Sequence, residues 1–228
     1  MENTISIIIP TFNEEKTISD TISHVKALKG DKEIIVVDGG SEDSTLTLAE
    51  KEADIVFKTT SGRGHQLNEG AYAAGGDILF FLHCDSRLEK DALSAIKDVL
   101  SDKGLIGGCF SLKIADDSLP LRFISWTSNL RSRFLKIIFG DQGIFIRKDI
   151  FFRLGGFPEI ELMEDWEFSR KMASKGELAF LSNKIYTSAR RWYSFGIWRT
   201  ILLMQKIKLL YLLGVKPEKL NQIYRNPR

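Results

Sequence analysis

Four short apolar runs in the first 85 residues, "ISIII" (5–9), "EIIVVD" (33–38), "DIVF" (54–57) and "DILFFL" (77–82), are separated by stretches with helical periodicity. Short runs of β-branched or aromatic residues bounded by polar clusters predict buried strands. Between them, Ile18, Ile22 and Val25 recur at helical spacing, and Leu67, Ala71 and Ala74 share one face of a helix expected from about Gly64. Another helix is expected after "GGSEDST" (39–45). Strands alternating with helices imply an α/β fold, a mostly parallel sheet built from right-handed crossovers and flanked by helices. Ligands of such sheets bind in the crevice outside the C-terminal ends of the strands.

The second half is less regular. "GGCFSLKI" (107–114) alternates like a strand with one wet face, "LRFISWTSNLRSRFLKIIF" (121–139) is expected to be helical, and "GIFIR" (143–147) reads as a strand. "GGFPE" (155–159) reads as a turn before a helix opening near Glu164. From Arg190 onward the pattern becomes one long apolar helix and a polar tail, so the chain divides into a domain at 1–190 and a helical extension at 191–228. Arg199, Gln205, Lys206 and Lys208 interrupt the apolar run at 197–215, which excludes a spanning helix. The polar residues scatter around its wheel, and a helix apolar nearly all round is usually buried. It packs on the core, forms a homodimer, or rests on a membrane surface with Trp192 and Trp198 at the interface.

A chain of 228 residues with 43% hydrophobic content buries a core sufficient for one domain with an appendage. Its 32 basic and 30 acidic residues leave a net +2, which excludes a nucleic-acid partner as the reading of choice. Cys84 and Cys109 form no spaced framework, and no leader-like run opens the sequence. A reducing, cytoplasmic location is therefore expected, at the inner face of the membrane if the last helix binds lipid.

Four polar loops fall at expected strand ends: "PTFNEE" (10–15), "DGGSEDST" (38–45), "GRGHQ" (62–66) and "HCDSR" (83–87). Each alone has a structural explanation. Thr11 or Asn13 would cap the first helix, Ser41 the second, and Gly39 and Gly40 would turn the chain. Asp38 would cap its own turn or accept a hydrogen bond from a base imide or ribose hydroxyl. Together the loops surround one crevice. It lacks a GxGxxG turn and a GxxxxGK[ST] loop, which disfavours dinucleotide oxidoreductases and P-loop NTPases. Cys84 points away from its neighbours on the strand and is expected in the core.

"SIIIPTFNEEKTI", "IIVVDGGSEDST", "GRGHQLNEGAYAAGGDILFFLHCDSRL", "GDQGIFIRKDIFFRLGGFPE" and "LMEDWEFSRKM" occur in the order expected of a family 2 glycosyltransferase, which the chain resembles over about residues 4–190. "NLRSRF", "GDQG", "LMED", "TSARRW" and "YLLGVKPEKLNQIY" resemble, more narrowly, the arsenosugar-biosynthesis subfamily. The resemblance implies the GT-A fold and a nucleotide-sugar donor, UDP-linked, with an acceptor that is a small molecule or lipid-linked. It assigns Pro10 and Glu14, with Thr11 between them, to the nucleotide-binding loop, Asp38 and Gly39 to the uracil or ribose, and Arg63 and Gln66 to the donor site.

By the same resemblance Asp85 matches the last carboxylate of the family's DxD motif, which holds Mn2+ or Mg2+ against the donor diphosphate. His83 stands where the first Asp usually does; it binds the metal or, the favoured reading, contacts the ribose. In the family pattern Asp165 is the catalytic base of inverting transfer, with Glu164 the next candidate, while their structural role would be to complement a helix dipole. Arg190 or Arg191 would clamp a donor phosphate or an anionic acceptor, or form surface ion pairs. Two rivals remain: a nucleotidyltransferase on a related sheet, and a non-catalytic nucleotide-sugar-binding module.

Overall fold

The alternating first half becomes strands β1 (Ile5–Thr11), β2 (Lys32–Asp38), β3 (Ile55–Lys58) and β4 (Ile78–Phe81), joined by helices α1 (Ile18–Ala27), α2 (Thr45–Glu50) and α3 (Arg63–Ala73). The computed structural model describes residues 4–225, and the side chains of Arg191 and Arg225 lie outside that description. Ile7, Ile9, Ile34, Val36 and Phe80 point to one face, where Ile18, Ile22 and Val25 of α1 cover them. Ile8, Ile35, Val37, Leu79 and Phe81 point to the other, against Leu67 and Ala71 of α3. Because successive side chains alternate faces and both faces are covered, these strands are apolar throughout rather than alternating.

Neighbouring strands pair in parallel in the order β3-β2-β1-β4. The chain steps outward from β1 to β3 with α1 and α2 on one face; α3 then crosses to the other face and β4 returns beside β1. The strand order reverses between β1 and β4, so a crevice opens outside their C-terminal ends.

The remaining elements are β5 (Ser86–Leu88), α4 (Ala92–Val99), β6 (Leu105–Ile114), α5 (Leu119–Leu135), a 3-10 turn at Gly140–Gln142, β7 (Ile144–Arg147), α6 (Lys148–Arg153), α7 (Glu164–Ala173), β8 (Glu177–Thr187), α8 (Arg190–Phe195), α9 (Ile197–Leu212) and α10 (Pro217–Arg225). They extend the sheet to eight strands as β4-β7-β6-β8-β5. β7 runs antiparallel to β4 and β6, and β8 runs parallel to β6, so the sheet is parallel through its first four strands and mixed beyond. The pairing of Phe81 with Ile144 sets the 3-10 turn beside the exit of β4.

Three expectations change. The helix over 121–139 ends at Leu135, because Lys136 takes a left-handed backbone (φ 55°) and Ser169 Oγ accepts the Ile138 N–H at 3.0 Å. The C-terminal region is three helices, not one with a tail, since Gly196 (φ 82°) and Gly214 (φ 83°) break it. Nor is α9 buried all round. Ile207 packs with Trp166 and Met163, with Leu203 and Tyr211 alongside, whereas Trp198, Leu202, Leu209 and Leu213 are each more than half exposed.

Candidate active site

The loops leaving β1 and β2 are stitched together at the switch point. Asn13 N–H donates to Ser41 Oγ at 2.8 Å, Glu14 N–H to Thr45 Oγ1 at 2.7 Å, and Glu42 N–H to Asn13 Oδ1 at 2.9 Å. These polar groups therefore hold one loop on another. Neither Thr11 nor Asn13 caps α1, whose N-cap is Thr17, and Ser41 does not cap α2, which follows Ser44.

Asp38 is fully buried, and both its oxygens accept the Ser41 N–H, at 2.9 and 2.8 Å, closing the turn after β2. Gln66 donates through Nε2 to the carbonyls of Thr11 and Val37, each at 2.9 Å. Its Nε2 thus clamps β1 to β2. A Cβ on Gly39 would come within 2.9 Å of that amide nitrogen, so the clamp needs a glycine there. Pro10 is half-buried beside it, and Thr11 Oγ1 is buried without a hydrogen-bond partner.

Arg63 opens α3 and Glu164 opens α7, and the two helix starts meet over the end of β4. Arg63 Nη2 donates to His83 Nε2. Arg63 Nε lies 3.2 Å from Glu164 Oε1 without hydrogen-bond geometry, and Nη2 lies 4.0 Å from Asp165 Oδ2. A Cβ on Gly140 would strike the Arg63 guanidinium and come within 2.5 Å of His83 Nε2, so only glycine lets the 3-10 turn approach this pair.

Burial and the Arg63 cation push the His83 pKa well below its usual value. The imidazole is neutral, its Nε2 is taken by Arg63, and its proton sits on Nδ1. Burial pushes Glu164 up to about 7, with Arg63 pulling it down and Asp165 adding to the rise. Asp165 Oδ2 accepts the Gly140 N–H at 2.8 Å and Oδ1 accepts the Trp166 N–H at 2.8 Å. Two N–H donors fix the aim of Asp165.

Asp85 follows β4 and is part-buried. Its pKa is raised first by burial and then by the Glu14 carboxylate, with Arg190 opposing. Arg190 instead pairs with Glu14 at 3.2 Å. Among the described residues the Asp85 carboxylate has no ion pair and no hydrogen bond from another residue, and no group of three or more His, Cys, Asp or Glu could enclose a metal. A partly desolvated carboxylate with no ion-pair partner fits a hard cation whose other ligands come from phosphate and water. Cys84 is buried in the core beside Thr17 and pushed up to about 12, as a packing residue is. Arg191 was singled out with Arg190; its side chain lies outside the described residues.

Three further residues reach this place. Gly140 and Asp141 arrive because β7 is antiparallel, and Arg131 extends from α5 to Gln142 Oε1 at 2.9 Å. "GDQG" was visible as a motif, but only the pairing of β4 with β7 shows which loop it joins.

The model of the family described as "Glycosyl transferase family 2" matches residues 6–157. The poly-beta-1,6-N-acetyl-D-glucosamine synthase of Staphylococcus aureus is 36% identical over 95 residues, 39% of this chain and 23% of that protein. A glycosyltransferase of Nostoc sp. is 31% identical over 120 residues, 49% of this chain and 37% of that protein. The chain's match thus spans less than two fifths of the length of either curated relative. Among solved structures, a mannosyltransferase from Pyrobaculum calidifontis in complex with GDP-Man and Mn2+ superposes with a TM-score of 0.70 at 18% identity, covering 91% of this chain and 63% of that one. Residues 1–349 of S. aureus TarS in complex with UDP-GlcNAc give 0.67 at 21%, covering 81% of this chain and 58% of that one. At such identities the likeness establishes the fold, a GT-A architecture. The family match covers the β1, β2 and β4 loops and the 3-10 turn that build the crevice, and the chain belongs to glycosyl transferase family 2.

Proposed function

We propose that the chain is an inverting glycosyltransferase that moves a sugar from a nucleoside-diphosphate donor, UDP-linked, to an acceptor hydroxyl with the help of Mn2+ or Mg2+. The observation that carries this reading is the Arg63 cluster, which joins the loop after β4 to the start of α7 and so brings the Asp85 loop and Asp165 into one crevice. The acceptor oxygen attacks the anomeric carbon, the bond to the diphosphate oxygen breaks, and the nucleoside diphosphate leaves with the electron pair. Asp165, aimed by its two N–H bonds, takes the acceptor proton. Asp85 would hold the cation, which would neutralise charge on the leaving diphosphate. Arg63 adds a fixed positive charge nearby, and neutral His83 keeps its guanidinium in place.

The narrower likeness of "GDQG", "LMED" and "TSARRW" to the arsenosugar-biosynthesis subfamily belongs to the same proposal; site chemistry, not that label, chooses the acceptor. Melting curves of the protein with a panel of nucleotide sugars and Mn2+ rank donors by occupancy. Product analysis then decides: released UDP supports sugar transfer, while pyrophosphate released from a nucleoside triphosphate would support a nucleotidyltransferase.

The C-terminal helices extend the reading to a lipid surface. From Arg190 to Pro217 the chain has no Asp or Glu, but it carries Arg190, Arg191, Arg199, Lys206, Lys208 and Lys216. Trp198, Leu202 and Leu209 recur on one exposed face of α9, and Leu213 at its C-cap continues the stripe. Basic charge beside an apolar, Trp-bearing stripe suits the surface of an anionic bilayer. Among the described residues no helix is long and apolar enough to cross one.

A further inference from the structure

Helix α5 turns its polar side inward. Ser125, Ser128 and Ser132 are buried with Leu121, whereas Leu119, Phe123, Trp126 and Phe134 are each more than half exposed. With half-buried Leu130 the outward residues fall at i, i+4, i+7, i+11 and i+15, one stripe along the helix. The rings of Phe123 and Trp126 lie 5.8 Å apart on it. Hydrogen bonds fix this orientation. Asn129 donates to the Leu112 carbonyl at 3.0 Å and accepts the Leu112 N–H at 2.8 Å. Ser125 Oγ accepts the Ile114 N–H at 3.1 Å, and Ser132 Oγ accepts from Gln142 Nε2 at 2.9 Å. Rotating α5 to hide the stripe would break these bonds to β6 and the 3-10 turn, and unpaired buried polar groups are costly.

Charge on this face has one sign. From Ser118 to Gly140 the chain has no Asp or Glu, and Arg122 and Arg133 flank the stripe, exposed and, among the described residues, without an ion pair. The two carboxylates just before the helix are engaged: Asp116 accepts from Tyr193 Oη, and Asp117 lies 3.6 Å from Lys113 Nζ. A two-fold contact between copies of this face would bring arginines together with no carboxylate to pair them. The stripe also offers on the order of 500 Å², short of the roughly 800 Å² per partner that a stable protein interface buries. Aromatic and leucine side chains beside unpaired arginines suit an anionic bilayer instead.

We propose that α5 is a bilayer-docking helix: its apolar stripe enters the interface of an anionic membrane, while Arg122 and Arg133 bind lipid phosphates. This rests on the lipid-surface reading of α9 for the class of partner, and on α5 alone for the site. Ile124 of α5 and Ile197 of α9 pack against one cluster of Ile114, Leu121 and Ala189, where the two helices meet. Residues 136–139 join α5 to the 3-10 turn whose Gly140 N–H holds Asp165, so the docked helix lies one short loop from the proposed base.

The test floats the full chain with phosphatidylcholine vesicles, with and without phosphatidylglycerol. The double variant Phe123→Ser, Trp126→Ser should bind anionic vesicles about tenfold or more weakly at an unchanged melting temperature. Arg122→Gln with Arg133→Gln should reduce the preference for phosphatidylglycerol. Bromine-labelled lipid should quench the wild type more than Trp126→Phe, which keeps the stripe apolar; if the double variant melts early, this comparison decides alone. Undiminished binding by the double variant with equal quenching in Trp126→Phe overturns the proposal, and if replacing Trp198 and Leu209 still releases the vesicles, the α9 reading stands without α5. A wild type that stays off anionic vesicles overturns both. A wild-type dimer that the α5 substitutions disperse gives the face to a second copy and overturns the proposal too.

Discussion

The backbone N–H of Gly140 donates to Asp165 Oδ2 at 2.8 Å, so the turn that precedes β7 is fastened to the carboxylate that opens α7. Trp166 N–H holds the other oxygen at 2.8 Å. A side chain held on both oxygens is fixed in its aim, which makes it the residue whose replacement should separate binding from chemistry.

Asp165→Asn removes the proton acceptor and offers one oxygen to two N–H groups. Turnover should fall by roughly 10²- to 10⁴-fold with UDP affinity nearly unchanged. The unmatched N–H should lower stability by about 1–3 kcal/mol. Transfer rate, UDP titration and melting temperature on one preparation measure all three. Transfer close to the wild-type rate would move the base to Glu164.

Asp85→Asn should abolish the increase in UDP affinity that Mn2+ gives the wild type, because the amide is a poor ligand for a hard cation. In metal-free protein the same change should not destabilise at neutral pH. The Asp85 pKa is raised in the fold, so its ionisation costs stability as pH rises above the ordinary carboxylate range. Melting in chelator and UDP titration with and without Mn2+ check both halves.

Glu164 gives a pH signature of its own. Its pKa is raised from 4.5 to about 7, so between those values the folded chain holds more protons than the unfolded one, and stability falls as pH rises. The loss is on the order of 1–3 kcal/mol across that window. Urea unfolding of wild type and Glu164→Gln at a series of pH values should show this slope in the wild type and its absence in the variant.

Trp198 and Leu209 lie on the exposed stripe of α9, 69% and 58% exposed. Replacing both with Ser should leave melting temperature nearly unchanged and weaken binding to phosphatidylglycerol-containing vesicles by about tenfold or more. Flotation at low and high salt reads the basic contribution, which screening should reduce. Equal recovery of wild type and double variant would remove the lipid surface from the reading.

Much of the first half is legible in the sequence because β1 to β4 are covered on both faces and so appear as unbroken apolar runs. The later elements carry weaker marks. β8 mixes buried and exposed residues irregularly, its register with β6 shifts between Phe110 and Ser111, and β5, α4 and α6 are short. At the site, Arg63, His83, Glu164 and Asp165 come together, while Gln66 Nε2 bonds the scaffold and Asp38 accepts the Ser41 N–H of its own turn. "GDQG" is visible as a motif, but only the antiparallel strand shows that its turn reaches Asp165.

The pairing of β4 with β7 is also a seam in the chain's architecture. On one side, the β1, β2 and β4 loops assigned to the nucleotide come from residues before Glu89, with Arg190 reaching back to Glu14; on the other, Gly140 and Asp165 come from after Ser118. Under the proposed reading, what the molecule takes from and what it gives to are encoded in separate halves of the polypeptide. Substitutions in the second half can change the recipient while leaving the nucleotide pocket intact, so recombining halves between relatives becomes a practical route to new pairings of donor and acceptor.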